Sequence, residues 1–253
     1  MNAPGYTEVL LAGVMVVIAI VVGRFWRLPV LKDMALGSVR AFVQLVAVGY
    51  AVRFIFDLES TWLILLALGL MTIVGAHAAA GRVKDLKGSF GTCLTAMLVG
   101  SAVTLATMLL FRIISFDARY VIPLAGMIIG NSMNASALAV DRLASDLRGN
   151  RLAVETALAL GKSWRAASQK FQRDAARTGM VAILNFLKTV GIVALPGAMT
   201  GMILAGADPV EAVLLQVIVA YMLLAATTIT SVVAVELTIR RFFTRHHQLR
   251  SDV

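Results

Sequence analysis

Charge is scarce in this chain: Asp, Glu, Lys and Arg make up 15% of its 253 residues, whereas apolar residues make up 59%. A soluble domain carries about 25% charge and about 45–50% apolar residues. That apolar excess has no room in one soluble core, so the sequence reads as an integral membrane protein. Cysteine is nearly absent. The single Cys93 excludes an internal disulfide, and within an apolar run it reads as a small buried residue. No cluster of cysteine, histidine and carboxylate is evident in the sequence, which argues against a tight, closed metal site. A phosphate-cradling loop is missing too. Gly161-Lys162-Ser163 has its ending, but the required first glycine would stand where the chain has Thr156. The residues between, Ala157 to Leu160, are strong helix formers. The segment therefore reads as a helix ending near Gly161, and nucleotide binding by this chain is set aside.

Long apolar runs are plentiful. A span needs about 20 mostly apolar residues, and seven stretches qualify, at approximately 7–26, 36–56, 61–80, 91–114, 119–139, 179–206 and 212–235. The first is long enough to be a span rather than a cleaved leader. The formal charge of +9 raises the question of nucleic acid, and the loops answer it. Arg24, Arg27 and Lys32 follow the first span, and Arg82, Lys84 and Lys87 follow the third. The long 140–178 connection and the tail (Arg240, Arg241, Arg245, Arg250) are strongly basic. The alternate loops hold Arg53, Arg112 and Arg119 among Asp57, Glu59, Asp117, Asp208 and Glu211. Alternation of this kind places the N-terminus outside and the C-terminus in the cytoplasm, and no nucleic-acid partner is implied. The expected fold is all-α: one polytopic domain over 1–253 in the cytoplasmic membrane, with seven transmembrane helices.

The 140–178 connection is too small for a catalytic domain with its own core. Its Leu and Ala spacing predicts two short amphipathic helices, hinged near Gly149-Asn150 and Gly161. Glu155-Thr156-Ala157-Leu158-Ala159-Leu160-Gly161 has the form Glu-x-Ala-x-x-x-Gly. It resembles the cytoplasmic coupling element of ABC-importer permeases, a helix-turn that sits in a groove on the ATPase subunit. That resemblance points to Glu155, Thr156, Ala157, Gly161, Lys162 and Arg165 as coupling residues.

A wider resemblance runs over about 119–230. "RYVIPLAGMIIGNSMNASALAVDRL", "ETALALG" and "NFLKTVGIVALPGAMTGMILAGADPVEAVLLQ" are similar to the FetB-type permease family. Gly126, Met127, Gly130, Asn131, Ser132, Met133 and Asn134 match its first signature. Leu195, Pro196, Gly197, Met199, Thr200, Gly201 and Ile203 to Gly206 match its second. Ala198 and Met202 depart from the pattern, which carries Met and often Gln there. The resemblance implies a seven-span subunit, paired as a homodimer, that works with a separate FetA-like ABC-type ATPase. The ATPase would bind ATP and Mg, and this chain would carry no cofactor. It also implies a link to iron export, and to aluminium tolerance among plant relatives.

Within the spans, Pro123, Gly126, Gly130, Pro196, Gly197 and Gly201 read as helix breaks, which membranes tolerate beside a cavity and transporters use near their sites. Met127, Asn131, Ser132, Met133, Asn134, Met199, Thr200 and Met202 then form a candidate substrate pathway, offering neutral oxygen and thioether sulfur. The same methionines serve equally as packing. Arg40 and Gln44 share a helix face, either lining the pathway or with Arg40 reaching the surface. Lys188 reads as snorkelling towards the start of the sixth span. Asp208, Pro209 and Glu211 read as the start of the last helix. Rival readings are a non-metal solute such as a nucleotide sugar, an unenergised channel, and an intramembrane serine hydrolase using Ser132 and His77. The last has no group to orient the histidine.

Overall fold

The computed structural model describes residues 5–58, 60–83, 86, 88–244 and 248–250. Of the charges used to orient the chain, Glu59, Lys84, Lys87 and Arg245 lie outside these. The described chain is helical throughout, apart from turns and two isolated bridges. It divides into two units, Met1–Ser60 and Thr61–Val253.

The first unit is a helical hairpin, α1 (Tyr6–Phe25) and α2 (Leu31–Leu58). Arg27 takes a left-handed φ of 52°. Its N–H bonds to Arg24 O at 3.0 Å while Leu28 N–H reaches Gly23 O at 2.9 Å. This is a Schellman stop, followed by Pro29. Gly23 is the only buried residue among those described in this unit, and a Cβ there would meet Leu31 at 3.0 Å. Arg40 and Gln44 are both exposed.

The second unit holds α3 (Thr61–Arg82), α4 (Ser89–Leu110), α5 (Ala118–Gly149), α6 (Arg151–Ala159), α7 (Trp164–Thr189), α8 (Gly197–Leu204) and α9 (Pro209–Phe242). α5 is its central helix, packed by α3, α4, α7 and α9. Small residues set these contacts. A Cβ on Gly179 would sit 2.7 Å from the Ala135 carbonyl oxygen of α5 and 2.5 Å from Ser231 Oγ of α9. One on Gly100 of α4 would strike Thr230 and lie 3.0 Å from Ala226 O. Lipid gives helices no hydrophobic reason to associate, so close backbone approach and side-chain hydrogen bonds supply it. Thr230 donates to Ser132 Oγ across α9 and α5 at 3.1 Å. α9 begins as the sequence predicts: Asp208 accepts from Val210 N and Glu211 N, with Pro209 at the first helical position.

Six described helices, α1 to α5 and α9, are long and apolar enough to cross a membrane. The segment expected as a sixth span, 179–206, with helix breaks at Pro196 and Gly197, is interrupted ahead of Gly197 and is not one helix. It comprises the second half of α7, a non-helical stretch from Val190 to Pro196, and α8. The expected pair of short helices in 140–178 is also revised. Only α6 is separate, because α5 runs on to Gly149 and α7 starts already at Trp164. The hinges at Gly149-Asn150 and Gly161 stand. α7 runs antiparallel to α9: Trp164 at its start stacks on Phe243 beyond the end of α9, with ring centroids 5.6 Å apart. Val190, just past its end, borders the same recess as Val213 and Gln216 of α9. Lys188 is exposed in the last turn of α7.

Candidate functional site

Gly161-Lys162-Ser163 stops one helix and starts the next. Gly161 has φ +83°, with its N–H on Leu158 O at 2.9 Å and the Lys162 N–H on Ala157 O at 3.1 Å. These two bonds close α6 as a Schellman motif. Ser163 is the N-cap of α7, its side chain accepting from Ala166 N. A sequence that mimics the end of a phosphate loop thus folds as a tight corner.

α6 is held by one face. Val154 is fully enclosed, and Leu158 packs beside it with Trp164 and Phe171 against Leu143 and Leu147 of α5 and Phe242 of α9. The other face is uncovered: Leu152 is 78% exposed and Leu160 77%, with Glu155 and Thr156 between them. Glu155 pairs with Arg151 at 2.8 Å, and Thr156 bonds back to Leu152 O. Ala157 is half-buried, while Gly161 and Lys162 are exposed. Arg165 lies over the Trp164 ring at 5.1 Å and bonds Glu236 of α9 at 3.2 Å. The same carboxylate oxygen takes Arg240 at 2.7 Å. Trp164, Glu236 and Phe243 were not singled out in the sequence, although a tryptophan amid charged residues was a usable signal.

The first signature lies along α5, which stays helical through Pro123, Gly126 and Gly130, so the expected breaks there do not occur. Its residues divide between two faces. Ser132 is fully buried and takes the Thr230 hydroxyl. Pro123, Gly126, Met127, Gly130, Asn131 and Asn134 form a stripe that is exposed or half-covered. Met133 packs inward between two apolar clusters. Asn131 donates to its own helix at Met127 O, 2.9 Å. Asn134 accepts from Arg82 Nη1 at 2.7 Å, a pairing that sequence spacing does not show.

The second signature lies elsewhere. Pro196 is the N-cap of α8, and Gly201 lies inside that helix rather than breaking it. Met199, Thr200 and Met202 are half-buried, and α8 packs on α9. The expected single pathway set is therefore two groups, one on α5 and one on α8. Thr200 Oγ1 bonds Pro196 O at 3.0 Å. The hydrolase reading is not favoured: Ser132 has Thr230 as its partner, while His77 is exposed with its ring edge to Phe90.

Residues 6–243 match the family model described as Uncharacterised protein family (UPF0014). The UPF0014 membrane protein YjkA of Bacillus subtilis is 37% identical over 247 residues, covering 98% of this chain and 99% of that protein. The UPF0014 membrane protein STAR2 of rice is 36% identical, covering 100% and 91%. The probable iron export permease protein FetB of Escherichia coli is 36% identical, covering 94% and 92%. No solved structure matches. The chain is a multi-pass membrane protein and belongs to the UPF0014 family.

Proposed function

We propose that this chain is the permease subunit of an ATP-driven transporter in the cytoplasmic membrane, exporting a metal ion such as iron by alternating access. Two copies pair, each crossing seven times with α7 as the sixth crossing, the N-terminus outside and α6 in the cytoplasm. An ABC-type ATPase binds ATP and Mg and grips α6. The relative named as a probable iron export permease supports the solute and direction. The observation that carries the reading is α6 itself. It is a short helix rooted by Val154 and closed by Gly161, and it turns Leu152, Glu155, Thr156 and Leu160 outward. A helix with one rooted face and one free apolar face is what a partner groove accepts.

Replacing both Leu152 and Leu160 by Glu tests this. Neither side chain supports the core, so the fold should persist while the ATPase no longer co-purifies and solute-stimulated ATP hydrolysis falls at least tenfold in vesicles. Retained co-purification and stimulation would sink the docking surface.

A second reading, a non-metal or anionic solute, has one observation in its favour. The Arg82 guanidinium stands on the α5 stripe at Asn134 and has no carboxylate partner among the described residues. A fixed cation there opposes a bare cation and suits an anion. Efflux assays with a metal ion and with a nucleotide sugar decide between the two readings.

A further inference from the structure

The break between α7 and α8 leaves a recess of about 360 Å³ against α9. Its walls are apolar, chiefly Val190, Leu195, Pro196 and Val213, with the Met199 thioether at the first turn of α8. Gln216, in the second turn of α9, is the one side chain with a full hydrogen-bonding group among the described residues lining it. It is 6% exposed, and its Oε1 has no hydrogen-bond partner among the described residues. A buried amide left unpaired is destabilising by about 1–3 kcal/mol. Leucine or methionine would occupy the same volume without that penalty, so packing alone does not account for a glutamine here. The backbone beside it points the same way. Non-helical chain in an apolar stretch is tolerated where it is buried or borders a wet or occupied cavity, and broken helices are where transporters hold their solutes.

We propose that this recess is a binding site for an uncharged hydrogen-bonding group, a hydroxyl, amide or carbonyl, and that Gln216 is the residue that reads it. No charged side chain among the described residues lines the recess, so a bare ion entering it would lose hydration with no countercharge in return. A primary amide both donates and accepts, which matches a hydroxyl and leaves neither partner unpaired. The apolar wall takes the hydrocarbon next to that group. Naming the ligand as part of a transported solute rests on the permease reading in its non-metal form; the binding itself does not.

Three probes of one shape and different charge test the site: tert-butanol, pivalate and tert-butylammonium. The full chain is placed in lipid nanodiscs with 13C-methyl methionine, and each probe is titrated while the Met199 methyl signal is followed. Met199→Leu assigns the signal, and the fully buried Met97 serves as the fold control. The Met199 signal should shift saturably with tert-butanol and at least fivefold more weakly with either charged probe, and Gln216→Leu should abolish the response. If that variant fails to fold, Gln216→Met gives the same readout. Equal responses to all three probes, a stronger response to a charged one, or a response that survives loss of the amide would overturn the proposal. So would the absence of any saturable shift, as expected of a recess filled by lipid tails. Solute flux in the same variants is a separate measurement. Binding lost with flux intact refutes the site's role and leaves the permease reading standing, whereas binding intact with no ATP-driven flux of any solute refutes the permease reading alone.

Discussion

α1 and α9 have nearly the same mean hydropathy, yet 6% of the apolar window of α1 is buried and 44% of that of α9. The hairpin and the bundle are equally greasy, and only one of them has a core. The difference lies in small and hydroxyl-bearing residues. α9 buries Thr227, Thr230, Ser231 and Thr238; Thr227 and Thr238 bond back to their own helix at 2.7 Å, and Thr230 reaches α5. α4 and α7 bring Gly100 and Gly179 to the same region. The hairpin has glycines as well, but Gly13, Gly37 and Gly49 have nothing within 4 Å of an added Cβ. In a membrane, apolar character selects what enters the bilayer, and side-chain size with hydrogen bonding selects what packs there.

The sharpest way to break this comparison is a matched pair of substitutions. Gly179→Val puts a branched side chain where even a Cβ is too close to Ser231 and Ala135. Overpacking of this kind is worth about 3 kcal/mol or more, and the variant should lose its folded, monodisperse peak in size-exclusion chromatography. Gly37→Val enters open space and should leave that peak unchanged. If Gly37→Val is as damaging as Gly179→Val, the α2 face is covered in the working protein, and the hairpin is an interface rather than a lipid-facing element.

Next in size is a pair of tryptophans. Trp164 stacks on Phe243 and carries Arg165 on its face; Trp26 at the end of α1 is 74% exposed. Trp164→Ala should lower stability by about 2–3 kcal/mol, somewhat under a full core truncation, and loosen α6 with it. Trp26→Ala should change stability by less than about 0.5 kcal/mol, as surface substitutions do. Unfolding in a denaturing detergent, followed by tryptophan fluorescence, measures both. Equal losses would mean that the rooted corner at α6 contributes no more than an exposed ring.

Particular residues show what the sequence could and could not disclose. Gly161, Asn150, Asp208 and Pro209 act locally through backbone angles and caps, so the ends of α6 and the start of α9 were readable. The 179–206 segment was readable only in part: Pro196 and Gly197 marked an interruption, but Ile192, Val193, Ala194 and Leu195 are as apolar as any span residue, so hydropathy did not show that the helix already stops at Thr189. α5 was expected to end near 139. Nothing in the backbone marks where a helix leaves lipid, and no glycine or proline stands between Val140 and Gly149 to stop it. The two signatures look like one site because both pair proline with glycine and methionine. Only packing separates them, with α5 at the centre and α8 on α9. Arg82 and Gln216 depend on tertiary neighbours, and a lone amide in an apolar run was the one available hint of the second.

The smallest effect probes both units with the same chemistry. Arg27 in the hairpin and Arg112 after α4 each hold φ 52°, and each closes its helix with the same pair of bonds, Arg112 N–H to Leu109 O at 3.0 Å and Ile113 N–H to Met108 O at 2.9 Å. A side chain in this left-handed conformation is strained by about 1 kcal/mol, and glycine relieves the strain. Glycine also gives up more freedom on folding, so the net gain at each site should be under about 1 kcal/mol. Arg112→Gly should appear as a small rise in the midpoint of cooperative unfolding, because α4 belongs to the packed bundle. Arg27→Gly should leave that midpoint unchanged and slow only the amide exchange of Trp26 to Leu28, since the hairpin carries no core to report the gain. A midpoint that rises equally in both variants would show the hairpin and the bundle unfolding as one cooperative unit, and the contrast drawn from burial would then be one of surface rather than of stability.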